Sequence, residues 1–192
     1  MANKVKYGLS KCYYAVATIA DAGTATYGTP KALPGAVSIS LDPDSNLEEF
    51  KADNITYFAS GEDSGYSGSL ELALIPDDFR KDVLGEVLDG QSVLFEDADA
   101  PTVHFALLFQ FEGDENAAKH VLYNCYVTGR PSIASQTKED TVTPVTETIE
   151  LAARAIKNTT LNKNVIKSRN TNTSSTSWTT WTSTVYTGTA AG

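Results

Sequence analysis

The 192-residue chain is poor in residues on which several classes of protein depend. Two cysteines, Cys12 and Cys125, are too few for a disulfide-stapled fold and favour folding in a reducing compartment. No apolar run approaches the roughly 18 residues that a membrane helix needs, and none follows the N-terminal lysines as in a secretory signal. We therefore expect a protein made in the cytoplasm, without a membrane segment or a secretory leader.

Residues that carry catalysis are also scarce. His104 and His120 are the only histidines, and neither has the spacing of a metal site or of a Ser/His/Asp arrangement. The glycines of residues 61–68 match no phosphate-binding motif. The sequence therefore predicts no enzyme, no cofactor and no metal.

One acidic segment resembles the start of a calcium loop. Asp42, Asp44 and Asn46 occupy the first ligand positions. Leu47 stands where the loop needs glycine, however, and Asp53 stands where a bidentate glutamate belongs. We interpret residues 42–46 as an acidic turn.

Acidic residues outnumber basic residues, and the excess is concentrated in the middle of the chain. The chain has 15 Lys and Arg against 24 Asp and Glu, a formal net charge of -9. Residues 42–115 hold 19 of these acids but three of the bases. This balance argues against a general nucleic-acid binder, which needs clustered bases. Opposed charge blocks suit a subunit that assembles with copies of itself.

Alternating apolar and polar residues predict a mainly β chain. Residues 103–111 are apolar on both faces, which indicates a central strand covered on both sides. Glu112–Asn116 predicts a turn that returns the chain antiparallel through 121–127. Further strands are predicted at 13–19, 37–41, 70–74 and 143–155. Together these strands predict a two-layer antiparallel sandwich or partly closed barrel.

One helix is predicted at about 77–89. Asp77 and Asp78 supply an N-terminal signal, and Gly90 is a plausible stop. Its buried face is predicted from residues at helical spacing: Phe79, Val83, Val87 and Leu88. On this interpretation Val87→Asp would unfold the subunit. The Gly/Ser-rich segment 60–68 is predicted to be a loop.

Composition divides the chain into three parts. We predict that residues 1–12 form an N-terminal arm and that residues 13–157 form the β domain. Residues 158–192 are predicted to form a Thr/Ser/Asn-rich C-terminal tail. Trp178 and Trp181 in the tail are suited either to docking it on a neighbouring surface or to stacking on sugars or bases.

Opposite charges at the ends and middle suggest contacts between copies. The arm is basic, and residues 42–56 are acidic with no dense apolar pattern. We expect the N-terminal arm of one subunit to contact the acidic segment 42–56 of another. The candidate residues are Lys4, Lys6, Lys11, Asp42, Asp44, Glu48, Glu49 and Asp53.

Several segments, in order and spacing, resemble the phi13-type major tail proteins of long-tailed bacteriophages. The resemblance runs from about Lys4 to Ala155. Its most specific part is Gly65-Tyr-Ser-Gly68 followed by Leu70-Glu71 and Ile75-Pro-Asp-Asp-Phe79. Further matching segments are Lys4–Leu9, Tyr27–Pro30, Pro34–Ala36, Leu41–Pro43, Ala52–Asn54, Leu84–Glu86, Phe105–Phe109, His120–Cys125 and Arg130–Pro131.

The resemblance implies a tail-tube β-sandwich with one flanking helix, assembled as stacked hexameric rings. It implies a virion tail made in the host bacterial cytoplasm, with DNA passing through the lumen without specific binding. The implied partners are other copies of the chain and tape-measure, tail-terminator and distal tail proteins, with no membrane partner. An alternative from another class is a non-catalytic virion module that binds carbohydrate or recognises the host, which the two tryptophans would serve.

Overall fold

The computed structural model describes residues 7–52, 55–113, 118–137 and 144–189. In these ranges no helix is long and apolar enough to cross a membrane. The two helices are short, α1 (Asp77–Asp82) and α2 (Thr176–Thr179). The strands are β1 (Leu9–Ile19), β2 (Ala25–Tyr27), β3 (Lys31–Ala32), β4 (Ala36–Ala52), β5 (Ile55–Leu72), β6 (Val87–Leu88), β7 (Leu94–Phe95), β8 (His104–Phe111), β9 (Lys119–Val127), β10 (Glu147–Ala153), β11 (Ile156–Asn158), β12 (Lys163–Val165) and β13 (Lys167–Asn170).

The mainly β fold is confirmed. One large antiparallel sheet runs in the order β2-β1-β8-β9-β10-β5-β4, while β3 pairs with β1 and β13 with β9. The two edges of the sheet are not hydrogen-bonded to each other in the strand order, yet β1 contacts β4, which is five strands away from it in that order. The sheet therefore curls over itself into a partly closed barrel.

The central strands β1, β8 and β9 are buried on both faces, as the sequence predicted for residues 103–111. On one face, Phe105, Leu107 and Leu122 pack with Leu70 and Ile149 of the overlying strands β5 and β10. This is the first core. Burial of long apolar side chains like these is the main stabilising term in such a domain.

The second core lies on the opposite face of the same strands and is closed by the C-terminal segment. Leu108, Val121 and Tyr123 pack there against Trp181 and Val185. Strand β13 also pairs with β9, from Lys167 opposite Leu122 to Asn170 opposite Lys119. Strand β13, Trp181 and Val185 thus fasten the C-terminal segment to the sheet.

The predicted helix is wrong in its second half. Helix α1 ends at Asp82, and Gly85 then takes a φ of 74°, a left-handed conformation that reverses the chain. Residues 87 and 88 form β6, a strand of the two-stranded β6–β7 hairpin. Val87 is 56% exposed, so the expectation that Val87→Asp would unfold the subunit is wrong.

Alanine substitutions at two valines test where α1 ends. Val83 is 4% exposed and packs in the first core, so Val83→Ala is expected to lower the free energy of unfolding by about 2 kcal/mol. Val87→Ala, at an exposed site, is expected to change it by less than about 0.5 kcal/mol. Urea denaturation measures both. Equal losses would instead support a helix through residue 89.

The predicted turn at 42–46 and loop at 60–68 are also wrong, because both segments are strand. They belong to β4 and β5, of 17 and 18 residues, which pair along their whole length. Pro43 is tolerated because β4 is the edge strand of the sheet. Gly68 is required for a close approach, since a Cβ there would overlap the carbonyl oxygen of Ser40.

A β-bulge changes which residues of β4 face the core. The register shifts between Ala36 and Ser38, so Ala36, Ile39 and Leu41 pack against the first core. Val37 alternates in the sequence with Ile39 and Leu41, which would place it on their buried face, but it is 50% exposed. A bulge inserts one extra residue and so reverses the alternation locally.

Candidate functional site

The β4–β5 arm, defined as residues 45–52 and 55–63, is the first candidate assembly surface. Strand β5 pairs with β10 from Tyr66 to Leu72. Beyond Gly65, the two strands of the arm pair with each other, from Ser45 opposite Asp63 to Ala52 opposite Ile55. The arm therefore extends past the strand that supports its base.

The outer edge of β4 is the second candidate surface. Among the described residues, β4 pairs with β5 alone. An edge of this length presents unpaired N–H and C=O groups, which are a template for a strand from another chain. The sequence did not indicate this edge, since the acids and glycines of residues 42–68 suggested turns. The available signal was the alternation at Ile55 and Tyr57.

Arg154 holds the base of the arm. Its guanidinium lies 2.9 Å from the Asp44 carboxylate and also donates to the carbonyl oxygen of Tyr66 at 3.2 Å. Arg154 directly follows β10, so one side chain joins three parts of the polypeptide. Asp44 thus has a partner within its own chain.

The structure does not bring the predicted contact residues together within one subunit. Lys11 and Asp42 are exposed, and no ion pair of the described residues joins Lys11 to Asp42 or Asp44. Glu48 and Glu49 belong to the part of β4 that forms the arm. The remaining candidates, Lys4, Lys6 and Asp53, lie outside the described residues.

The predicted N-terminal arm partly coincides with β1. Leu9 pairs with Phe111 and Ser10 with Gln110, and Leu9 packs against the first core. A bulge between Ser10 and Tyr13 includes Lys11, whose φ is 51°. At least these residues belong to the sheet of their own subunit.

Several acids of the 42–115 block have partners in their own chain. Arg80 bridges Glu86 at 3.1 Å and Glu147 at 2.9 Å, and Glu147 accepts a 2.6 Å bond from the backbone N–H of Ile75. These contacts fasten α1 to β10. Arg80 is one of the three bases of the block, so its pairing with Glu86 leaves the net charge of the block unchanged.

A second ion pair fastens α1 to the other side of the sheet. The Asp82 carboxylate lies 2.6 Å from Lys31 Nζ and accepts a 2.8 Å bond from the Tyr14 hydroxyl. Burial, followed by the bond to Asp82, raises the pKa of Tyr14 above its usual range. Tyr14 thus remains a neutral donor, which suits a structural role.

The histidines and cysteines lie among structural neighbours. His104 Nδ1 is 2.7 Å from Asn124 Oδ1, and the ring of His120 stacks on Phe109 at 5.2 Å between centroids. Burial raises the pKa of the Cys12 thiol to about 12, which makes the reactive thiolate rare. In the described ranges, no group of three His, Cys, Asp or Glu residues is arranged to hold a metal.

The two tryptophans differ in environment. Trp181 is 3% exposed, and its indole N–H donates to the carbonyl oxygen of His120 at 3.3 Å. Trp178 is half-buried beneath Lys119, whose ammonium lies 4.4 Å from the ring centroid. The pair does not form an exposed platform of the kind that stacks on sugars.

These features define a curled antiparallel sheet with a long arm and an open edge strand. A chain in the cryo-electron-microscopy structure of the anti-feeding prophage (AFP) baseplate, 6-fold symmetrised, is similar, with a TM-score of 0.41 and 11% sequence identity. The match covers 88% of this chain and 97% of that one. No protein-family model and no curated protein matches the sequence.

Proposed function

We propose that the chain is a structural virion protein, the tail-tube subunit of a long-tailed bacteriophage. It polymerises as stacked hexameric rings that enclose a conduit for DNA. The arm and the open β4 edge carry this proposal, because in the described part of the chain β4 pairs only with β5 and the arm extends past β10. The family resemblance described above, which covers roughly three quarters of the chain, supports it independently.

The geometry suggests how such an assembly forms. Pairing of the β4 edge with a neighbouring subunit would be a head-to-tail contact, which closes a ring when the rotation between copies closes. The arm extends beyond the sheet and is suited to contact a copy outside the ring. An acidic wall would repel phosphate over about 8 Å at physiological salt, which a DNA conduit requires.

The carbohydrate-binding alternative loses its main support. It depended on Trp178 and Trp181, and Trp181 lies in the second core. We propose no catalytic role.

Electron microscopy of concentrated pure protein tests the proposal. Negative-stain images are expected to show hollow tubes or six-fold rings. Monomers at all concentrations, together with sugar-dependent shifts in melting temperature, would contradict it and favour the binding module.

Duplex DNA is expected not to bind the protein at physiological salt, because the net charge is -9 and acids dominate residues 42–115. Non-specific binders typically have a Kd of about 10⁻⁴–10⁻⁶ M, which a gel shift detects. Salt-sensitive micromolar binding would show that the surface is not the repulsive one that a conduit needs.

Deletion of residues 2–11 is expected to lower the melting temperature of the monomer. It removes Leu9 and Ser10 from their pairing with β8, and Leu9 from the first core. The control is deletion of residues 2–6, which leaves these pairs intact and tests the role of Lys4 and Lys6 in assembly. Equal melting of the 2–11 deletion and the full chain would show that the N-terminal end of β1 contributes nothing to folding.

A further inference from the structure

Exposed apolar side chains are concentrated at one end of the sheet. This end holds the last residues of β9, Glu147 at the start of β10, and α1. Among residues 7–45, 64–113, 118–137 and 144–189, eight of the ten large exposed apolar side chains lie here: Val37, Leu74, Val87, Leu88, Val93, Phe95, Ile133 and Val145. Such clustering marks an interaction surface.

The β6–β7 hairpin supplies four of these eight side chains, Val87, Leu88, Val93 and Phe95, and we name residues 86–99 the apolar tab. Val87 lies opposite Phe95, so both side chains are on one face, and each is 56% exposed. The tab is also acidic, with Glu86, Asp89, Glu96, Asp97 and Asp99 and no Lys or Arg.

An apolar groove lies at the beginning of β9, the end of that strand remote from the tab. It lies between residues of β4 and β5 on one side and of β8 and β9 on the other, and its cavity has a volume of about 230 Å³. Its walls are formed by Ile39, Leu41, Tyr66, Phe109, Phe111 and Leu122. Lys167 lies on the rim, with its ammonium 4.3 Å from the Tyr66 ring centroid, and Arg169 is exposed two residues farther along β13.

The tab cannot reach the groove of its own subunit. Arg130, just beyond the end of β9, bridges Glu96 of the tab at 2.5 Å, whereas the groove is lined by the beginning of β9. The nine residues of β9 span about 25–30 Å. A contact between the two surfaces therefore joins two molecules.

We propose that the apolar tab of one subunit inserts into the apolar groove of the next copy, as a head-to-tail contact along the tube axis. This inference rests on the proposed self-assembly and assigns the surfaces that join successive rings. Because tab and groove lie at opposite ends of β9, every added subunit presents a new tab and the contact repeats without limit.

Size and charge favour this pairing. An apolar cavity of about 150 Å³ holds a benzene ring, so a groove of about 230 Å³ accommodates the Phe95 ring with space beside it. The tab acids that form no ion pair among the described residues, Asp89, Asp97 and Asp99, would meet Lys167 and Arg169. Contact between two tabs would bring like charges together, which disfavours a symmetric tab-to-tab dimer.

Substitution of the tab tests the contact. The double variant Val87→Ser/Phe95→Ser is expected to keep the melting temperature, since both side chains are exposed, and to raise the protein concentration needed for tubes at least tenfold. Leu161→Ser is the control, because Leu161 is 43% exposed and lies outside both surfaces. Tube formation by the double variant at the wild-type concentration would overturn the inference while leaving the proposed function intact.

Charge reversal tests the groove. Lys167→Glu is expected to weaken assembly severalfold, whereas Lys157→Glu, the same change at an exposed lysine of β11, is expected to have little effect. Equal effects of the two variants would show that total charge, and not the groove rim, controls assembly.

Disulfide cross-linking supplies a test that does not require tubes. Cys12 and Cys125 are buried, so oxidation of a mixture of Phe95→Cys and Ile39→Cys proteins is expected to give their heterodimer. Phe95→Cys mixed with Leu161→Cys is the control. Disulfides between two Phe95→Cys chains alone would establish tab-to-tab contact and overturn the inference. If the wild-type protein forms no tubes or rings, the proposed function is wrong. The cross-linking result still tests the tab–groove contact in that case: formation of the heterodimer supports the contact, and its absence overturns it.

Discussion

Replacing Trp181 with alanine is expected to lower the free energy of unfolding by about 3–5 kcal/mol. Trp181 is 3% exposed and closes the second core over Leu108 and Val121 of the central strands. The substitution would leave a large cavity and an unpaired carbonyl oxygen at His120, the acceptor of the indole N–H. For a domain of this size, the melting temperature should fall by about 10 °C or more.

Trp178→Ala is the matched control for this prediction. The two tryptophans are three residues apart, but Trp178 is half-buried and contacts Lys119 at the surface. Its loss is expected to cost about 1 kcal/mol, because a cation–π contact at an exposed site is weak. Denaturant unfolding of the two variants measures the difference. A Trp181→Ala protein as stable as Trp178→Ala would mean that the C-terminal segment is not part of the core.

The contribution of residues 158–189 to folding was difficult to recognise from the sequence. Thr, Ser and Asn dominate the segment, and few large apolar side chains interrupt them. Trp181 and Val185 are four residues apart, a spacing that fits one helical face, yet α2 ends at Thr179. The second core depends on single side chains that meet distant strands, and such contacts leave no periodic pattern.

The central strands were predictable because their environment is uniform. Every residue from Phe105 to Gln110 is buried, and a strand covered on both faces produces a continuous apolar run. The helix was predictable at its start, where Asp77 and Asp78 precede Phe79. Its end was not, because Val83, Val87 and Leu88 fit helical spacing equally well. The positive φ of Gly85 ends that spacing, and a glycine's conformation cannot be deduced from composition.

The candidate assembly surfaces were only partly predictable. Opposed charge blocks indicated contact between copies, but composition does not reveal which acids already have partners. Asp44 is engaged by Arg154, 110 positions away in the sequence, and Glu86 by Arg80. The groove was missed because its walls come from β4, β5, β8 and β9, which only the curled sheet brings together.

Gly65→Ala is expected to destabilise the subunit by about 3 kcal/mol or more and to displace the arm. Gly65 lies where β5 leaves β10, and its φ of 122° is unfavourable for any residue with a side chain. A Cβ there would also overlap the carbonyl oxygen of Ala153, which is backbone and cannot rotate away. The strain therefore has to move β5 away from β10.

Gly90→Ala is the control for this substitution, because a Cβ at Gly90 meets nothing within 4 Å. Thermal melts are expected to show a large fall for Gly65→Ala and almost none for Gly90→Ala. If Gly65→Ala melts with the wild type, the chain does not make this close approach at the base of the arm. Arg154 contacts both Asp44 and Tyr66 at this junction, and a shift of β5 would break one of these contacts and change the direction of the arm. A Gly65→Ala protein that folds at low temperature but forms no tubes would therefore show that assembly requires the arm in its native direction.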